Sequence, residues 1–235
     1  MIFDIITIFP EIFNSFLGES LIARAQKKRL IKIKIHNLRK WSYNKHKSID
    51  DKPFGGGLGM VFKIEPIYRA VNEIKKKKKT KVVLFTPRGK KFNQKIAYQL
   101  SKLDQIIMIC GRYEGVDERA AKYIADIELS IGDYDLMGGD LPAMVIMETV
   151  CRLIPGVLGK PQLLKERITK TKGFIEYPQY TRPEIFNPNR CIKKRKACPS
   201  KFRKAKIWRV PKVLISGNHK KIEEWRTKHQ KTIGK

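Results

Sequence analysis

Two apolar runs constrain the fold of this chain more than any other feature. Ile2–Phe9 and Ile106–Cys110 contain almost only apolar residues, many of them β-branched, which is typical of strands buried on both faces of a parallel sheet. Lys81–Thr86 and Ile127–Ile131 are two further predicted strands. Because strands alternate with helices, the sequence predicts an α/β fold with a parallel sheet. The predicted helices are Glu65–Ile74, Asn93–Leu103, Val116–Tyr123 and Ala143–Ile154.

Two glycine-rich segments directly follow strands of this sheet. Ser130–Asp140 holds three glycines and three carboxylates, and Gly111–Gly115 follows the apolar run that ends at Cys110. Glycine lets main-chain amides approach a ligand closely, and open α/β sheets bind ligands beyond the carboxyl ends of their strands. We therefore expect the two segments to form one crevice, which is the candidate site. An ordinary strand-end turn is the alternative for either segment.

The net charge is strongly positive. Lysine and arginine number 51 against 22 aspartates and glutamates, which gives a formal charge of +29 at pH 7. Such a field attracts polyanions such as nucleic acids. Lysine runs such as Lys75–Lys79 are also typical of solvated faces, so the charge alone does not decide the function.

Cysteine usage and the N-terminus indicate a compartment. The four cysteines and four histidines show no metal-ligand spacing, so we expect no metal site. Cys110 and Cys151 lie in apolar segments and are predicted to be buried thiols in a reducing compartment. The N-terminus lacks the basic start of a signal peptide, and no apolar run approaches membrane-spanning length. We expect a cytoplasmic protein without a membrane segment.

Local signals predict where several elements begin and end. Pro10 and Glu11 begin a helix that ends near Arg29, since proline suits the first turn and basic residues suit the last. Pro87–Lys91 is predicted to be a turn after the strand that precedes it. Asn93 and Asn218 are predicted N-caps of the helices that follow them.

The character of the sequence changes after Gly159. Residues 1–159 are predicted to form the α/β domain, and the basic, weakly patterned residues 160–172 form a linker. Residues 173–235 then form a small second domain with a basic insertion near 187–206.

Seven segments, in order along nearly the whole chain, together resemble one family. They are Ile6–Glu11, Asp50–Met60, Cys110–Arg119, Ser130–Tyr134, Ile154–Gly159, Tyr180–Glu184 and Leu214–His219. In these segments the chain resembles the bacterial tRNA (guanine-N(1)-)methyltransferases, the TrmD type of SPOUT enzyme. A single glycine-rich loop would be weak support, whereas ordered matches are specific.

The resemblance implies a fold, a cofactor and partners. The chain around Val82–Gly159 would be tied in a deep trefoil knot, followed by a small, mainly helical C-terminal domain. S-adenosylmethionine would bind in the knot crevice of a homodimer, with the sites at the subunit interface. The substrate would be tRNA, and the product 1-methylguanosine immediately 3′ of the anticodon.

By resemblance, residues of both glycine-rich segments hold the methyl donor. The adenine and ribose of the donor need main-chain partners in a close-fitting crevice. The expected donor-binding residues are Gly111, Tyr113, Glu114, Ile131, Gly132, Asp133, Tyr134, Asp135, Leu136, Gly138 and Gly139. The expected substrate-binding residues are Asp51, Gly57, Gly59, Met60 and Arg112.

Guanine N1 carries a proton, so its methylation calls for a general base and for a cation that stabilises charge on O6. Arg152 occupies the position of the family's arginine, although a cation at a helix C-terminus is also favoured by the helix dipole. The family's aspartate after the knot has no counterpart among residues 160–172. Glu166 and Asp135 are the alternative candidates for the base.

Two competing functions stay open. One, which only the missing aspartate favours, is a catalytically weakened relative that still binds cofactor and tRNA. The other is a basic structural RNA-binding protein, which leaves the two glycine-rich loops and their carboxylates unexplained. The main hypothesis is an active methyltransferase.

Overall fold

The structure is a computed structural model that describes residues 1–159, 173–188 and 207–233. The chain divides into two compact units, Met1–Gly173 and Phe174–Ile233. In chain order, the elements of the first unit are β1 (Ile2–Thr7), a 3₁₀ helix (Pro10–Phe13), α1 (Asn14–Gly18), α2 (Ser20–Lys27), β2 (Lys32–Asn37), a second 3₁₀ helix (Leu38–Trp41), β3 (Asp50–Asp51), β4 (Val61–Phe62), α3 (Ile64–Ile74), β5 (Thr80–Lys91), α4 (Gln94–Leu100), β6 (Gln105–Ile109), α5 (Glu118–Tyr123), β7 (Ile127–Ser130) and α6 (Asp140–Cys151). The second unit holds β8 (Phe174–Glu176), β9 (Ile185–Phe186), β10 (Trp208–Arg209), a 3₁₀ helix (Lys212–Ile215), α7 (His219–His229) and β11 (Lys231–Ile233).

A sheet of five parallel strands forms the centre of the first unit, in the order β2-β1-β6-β5-β7. The middle strand, β6, is buried along its whole length. In the register of the sheet, Met108 of β6 lies beside Ile5 of β1 and Val83 of β5. This arrangement confirms the predicted α/β fold with a parallel sheet.

Two hydrophobic cores lie on opposite faces of this sheet, because successive residues of a strand point to opposite sides. Ile106 and Met108 belong to one core, and Ile107 and Ile109 belong to the other. Buried residues of α6 pack into the first core, and buried residues of α3 pack into the second. Coverage on both faces explains why the strand sequences are continuously apolar.

Two local predictions differ from the structure. The helix expected from Pro10 divides into a 3₁₀ turn and two α-helices, because Glu19 is extended (φ −116°, ψ 157°) and Ser20 has a φ of 54°. The prediction that the strand ends in a turn at Pro87–Lys91 is wrong, because β5 continues through these residues. The pairing of β5 with β7 instead shifts register between Phe85 and Lys90. Proline lacks an N–H and so interrupts this pairing locally.

The second unit combines short antiparallel strands with one α-helix among its described residues. β8 pairs with β11, and β9 pairs with β10. The mainly helical composition that we expected stays a prediction, because residues 189–206 lie outside the described part of the chain. The Asn218 side chain accepts a hydrogen bond from the Lys221 amide and caps α7 as predicted, and Asn93 caps α4 through the Ile96 amide. The predicted linker and residues 189–206 of the basic insertion lie outside the described residues.

Candidate active site

The two glycine-rich segments meet at the carboxyl ends of β6 and β7. Arg112 and Gly138 form an antiparallel bridge, and the Gly139 amide donates a 3.0 Å hydrogen bond to the Gly111 carbonyl. A Cβ at Gly139 would lie 2.8 Å from the Cα of Cys110, and a Cβ at Gly138 would lie 2.9 Å from the Gly111 carbonyl oxygen. Side chains therefore do not fit at these two positions.

These segments enclose a cavity of about 380 Å³. This volume lies within the range of about 300–1,000 Å³ that is usual for small-molecule sites. The predicted donor-binding residues that line the cavity are Gly111, Tyr113, Glu114, Ile131, Tyr134, Asp135, Leu136, Gly138 and Gly139.

Gly132 and Asp133 are the two predicted donor-binding residues that do not line the cavity. The Asp133 carboxylate forms an ion pair with Lys91. A Cβ at Gly132 would collide with the ring of Tyr134. Both positions thus contribute to the shape of the Ile131–Gly139 segment from outside the cavity.

A third wall of the cavity comes from the irregular part of β5, which sequence reasoning missed. Thr86, Pro87 and Arg88 line the cavity. Gly89 permits their position, since a Cβ there would lie 2.7 Å from backbone atoms of Glu128 and Leu129 in β7. A proline and a glycine directly after an apolar strand resemble the signal that identified the other two loops.

Arg88 bridges two acidic residues beside this wall. Its guanidinium pairs with Glu118 of α5 and lies 3.4 Å from a carboxylate oxygen of Glu128 in β7. The hydrogen bond that Arg88 donates to Glu118, followed by the charge of both carboxylates, raises the pKa of Arg88 above its usual value, although desolvation by burial lowers it. Glu118 also lines the cavity, so this pair sits at its edge.

A buried polar network lies behind the cavity wall. The Asp140 carboxylate is 1% exposed; it accepts hydrogen bonds from the Thr7 hydroxyl at 2.6 Å and from two Arg112 nitrogens at 2.8 and 2.6 Å. The Arg112 guanidinium also lies over the ring of Phe9, 4.8 Å from its centroid. Arg112, a predicted substrate-binding residue, thus joins β1, the loop after β6 and the start of α6.

The other predicted substrate-binding residues lie on the β3–β4 hairpin. The Glu114 amide donates to the Met60 carbonyl at 3.1 Å, and Gly59 lies against the Glu114 side chain. Asp51, at the base of the hairpin, pairs with Lys63 at 3.2 Å. The Lys52 amide, and then Lys63, lower the pKa of Asp51. Gly57 lies near the tip with a φ of 125°.

The three candidate catalytic residues occupy different places. Asp135 lies in the cavity wall and is exposed, and within the described part of the chain its side chain accepts a hydrogen bond only from the Leu136 amide, at 2.9 Å. Arg152 directly follows α6 and is not among the lining residues. A rise of about 1.5 Å per residue places it about 18 Å along the helix axis from Asp140. Glu166 lies outside the described residues.

The cysteines of the first unit are buried as predicted. Burial, and next the nearby Asp140 carboxylate, raises the pKa of the Cys110 thiol well above its usual value. Burial and the Glu148 carboxylate raise the pKa of Cys151 to about 12. In the ranges 1–159, 173–188 and 207–233, histidine, cysteine and acidic side chains form no cluster that could hold a metal ion. Within the same ranges, no helix is both long and apolar enough to span a membrane.

Comparison with known proteins gives a consistent result over the whole chain. A family profile described as tRNA (Guanine-1)-methyltransferase TrmD matches residues 1–234. A protein from Dictyoglomus turgidum is 48% identical over 96% of this chain and 83% of its own length. Proteins from Clostridioides difficile and Staphylococcus carnosus are each 44% identical, over 100% and 95% of this chain and 94% and 83% of their own lengths. All three relatives are named tRNA (guanine-N(1)-)-methyltransferase.

Proposed function

Because this chain belongs to the tRNA (guanine-N(1)-)methyltransferase family, we propose that it transfers a methyl group from S-adenosylmethionine to N1 of the guanosine immediately 3′ of the anticodon in tRNA. The observation that carries the proposal is the family match over residues 1–234. In agreement with it, the glycine-rich segments of this chain line a cavity large enough for a small molecule. The competing interpretation as a structural RNA-binding protein provides no use for this cavity.

The cavity fits the methyl donor by size and by wall chemistry. Its volume of about 380 Å³ suits a nucleoside with a short side chain. Gly111, Gly138 and Gly139 bring main-chain groups to the wall without side chains, which suits recognition of an adenine and a ribose through the backbone. When bound, the donor supplies an activated methyl group.

The chain's own task is then to align guanine N1 and to accept its proton. Holding reactants in line supplies much of the acceleration of such a transfer. Three carboxylates line the cavity, those of Glu114, Glu118 and Asp135. Glu118 is paired with Arg88, whereas Glu114 and Asp135 are exposed. Asp135 and Glu166 remain the two candidates for the general base.

The position of Arg152 supports a homodimer with shared sites. At about 18 Å along α6 from the cavity end of the helix, Arg152 cannot easily serve its own cavity. Leu141 and Val145, one turn apart on α6, are 53% and 41% exposed and form an apolar stripe suited to a second copy. We propose that this face pairs two copies and that Arg152 stabilises the charge on guanine O6 in the partner's site.

Mixing two defective proteins tests the shared site. An Arg152→Ala protein and a Gly139→Val protein are each expected to be inactive, because one lacks the cation and the other a usable cavity. Subunit exchange between them should restore activity, since one site of each mixed dimer is then complete. If native mass spectrometry detects mixed dimers but the mixture stays inactive, the shared site is contradicted.

The knot, the domain boundaries and the location are further parts of the proposal. Membership of this family is what supports a trefoil knot in the chain around Val82–Gly159. We retain 1–159, 160–172 and 173–235 as domain, linker and tRNA-binding domain. The formal charge of +29 suits the tRNA backbone, and a cytoplasmic location suits an enzyme that acts on tRNA.

The basic insertion has its own test. Deleting 191–204 is expected to weaken tRNA binding and to reduce its dependence on salt concentration, because fewer phosphate contacts release fewer counterions. An unchanged salt dependence would refute a role in holding the tRNA backbone.

Labelled S-adenosylmethionine tests the reaction itself. The assay uses two tRNA transcripts that differ only in carrying guanosine or adenosine immediately after the anticodon. We expect label in the guanosine transcript alone. Donor binding without transfer would instead indicate a catalytically weakened relative, and the absence of donor binding would indicate an RNA-binding protein.

A further inference from the structure

Two large apolar side chains project from the tip of the β3–β4 hairpin into solvent. Phe54 and Leu58 are 103% and 94% exposed, more than any other large apolar side chain among the described residues. Burial of such side chains stabilises a fold, and Phe54 and Leu58 do not contribute in this way here. A pair of exposed apolar side chains on one loop marks a contact surface.

The sequence specifies the conformation of this tip. The hairpin base is paired through Asp50 with Phe62 and through Asp51 with Val61. Between them, four glycines adopt left-handed backbone angles, at which side chains are strained. The φ values of Gly55, Gly56, Gly57 and Gly59 are 85°, 83°, 125° and 87°. The chain thus presents Phe54 and Leu58 on a turn that only glycines form readily.

The tip adjoins the donor cavity. Met60 accepts a 3.1 Å hydrogen bond from the Glu114 amide, and Glu114 lines the cavity. Tyr113, a second lining residue, meets the ring of Phe62 edge-on, with centroids 5.7 Å apart. Leu58 lies only two residues before Met60. When the reacting part of a large substrate enters the cavity, adjacent parts of the same substrate can therefore contact the tip.

Exposed lysines lie on the hairpin and in the loop that precedes it. Lys52 is exposed on the hairpin, and Lys45 and Lys47 are exposed in the preceding loop. That loop is joined to the hairpin base, since the Ser48 hydroxyl donates to the Asp50 carbonyl at 3.0 Å. An exposed aromatic ring among lysines suits single-stranded nucleic acid, in which bases stack on rings and phosphates meet cations. Contact of this tip with the same tip of a second copy would bring like charges together.

The proposed reaction supplies the specific occupant. N1 lies on the pairing edge of guanine, and an enzyme that acts on a base takes it out of the stack into a pocket. We propose that Phe54, supported by Leu58, stacks on the nucleobase next to the target guanosine and occupies the position that the guanosine leaves. This inference rests on the proposed function and assigns the hairpin tip a role in exposing the substrate base.

A cycle of protein and tRNA changes tests this contact. Affinity for tRNA is measured with S-adenosylhomocysteine present, and the methylation rate is measured in single turnovers. Phe54→Ala should weaken binding and slow single-turnover methylation by about 10- to 100-fold, the range expected for loss of one base stack. Two further tRNAs each lack one base, either the one before or the one after the target guanosine. With one of these two tRNAs, Phe54→Ala and the wild type should have the same affinity and the same methylation rate.

Three controls make the outcome specific. Phe54→Trp keeps an aromatic face and should restore binding. Tyr68→Ala removes an aromatic side chain that is 57% exposed on α3 and should leave both quantities unchanged. Donor affinity should be the same in all variants.

Additive losses with both abasic tRNAs would overturn the inference, because they show that Phe54 does not contact either neighbour. Loss of self-association by Phe54→Ala in sedimentation equilibrium would also overturn it, in favour of a second copy on the tip. Absence of methyl transfer by the wild type would refute the proposed function, whereas the binding cycle would still decide the role of Phe54.

Discussion

Replacing Gly139 by alanine tests the close approach of the two glycine-rich segments. A Cβ at this position would lie 2.8 Å from the Cα of Cys110 and 3.1 Å from a ring carbon of Phe85. Carbon atoms in contact prefer about 3.5–4.0 Å, so the backbones must separate by about 0.7 Å or more. Gly139 has a φ of −82°, which alanine adopts freely. The substitution is therefore expected to act through atomic overlap and not through backbone strain.

The magnitude follows from the contacts that this separation disturbs. Overpacking a tight contact costs about 1–3 kcal/mol. The hydrogen bond from the Gly139 amide to the Gly111 carbonyl, now 3.0 Å, lengthens beyond a useful distance, which costs about 0.5–1.5 kcal/mol. We expect the free energy of unfolding to fall by about 1.5–4.5 kcal/mol in total. Because Gly111 and Gly138 also line the cavity, donor affinity should fall by at least about tenfold.

Urea unfolding followed by circular dichroism measures the stability, and isothermal titration calorimetry measures the donor affinity. Gly18→Ala is the matched control, because a Cβ at Gly18 meets no atom within 4 Å. The control should retain wild-type stability and donor affinity. A Gly139→Ala protein with the stability and donor affinity of the wild type would refute the close approach of the two segments.

Three further perturbations test other contacts. Asp140→Ala leaves the largely buried Arg112 guanidinium without its carboxylate, and urea unfolding should show a loss of about 3–5 kcal/mol. Because the pKa of the buried Cys151 thiol is raised to about 12, almost no thiolate forms there at about pH 8. Mass spectrometry should then find Cys151 alkylated only after denaturation. Asp135→Asn or Glu166→Gln, whichever removes the general base, should lower kcat by about 10²- to 10⁴-fold.

Each of these expectations has a clear contrary result. Wild-type stability of Asp140→Ala would show that its network with Thr7 and Arg112 contributes little. Alkylation of Cys151 at the same rate in native and denatured protein would contradict its burial. Wild-type kcat in both Asp135→Asn and Glu166→Gln would remove both candidates for the base.

Much of the cavity was predictable because its determinants are local. Gly111, Gly138 and Gly139 directly follow apolar strands, and parallel strands bring their carboxyl ends to the same edge of a sheet. Caps were predictable for the same reason, since Asn93 and Asn218 bond amides only three residues away.

Features that depend on distant residues were not predictable. Arg112 and Asp140 lie 28 residues apart in sequence, and Thr7 lies 133 residues from Asp140, so only the folded sheet brings this network together. The wall at Thr86–Gly89 was missed because Pro87 indicated the end of a strand that in fact resumes beyond it. The break in the first predicted helix at Ser20 was also missed, because no proline there indicates a helix end.

The chemical identity of the methylated nucleoside tests the central claim most directly. After reaction with S-adenosylmethionine, the tRNA is cut with a ribonuclease, and the fragments and nucleosides are analysed by mass spectrometry. We predict one added methyl group, on the guanosine immediately 3′ of the anticodon, recovered as 1-methylguanosine. A methyl group on another atom or another nucleotide, or an unmodified tRNA in the presence of bound donor, would contradict the proposed function.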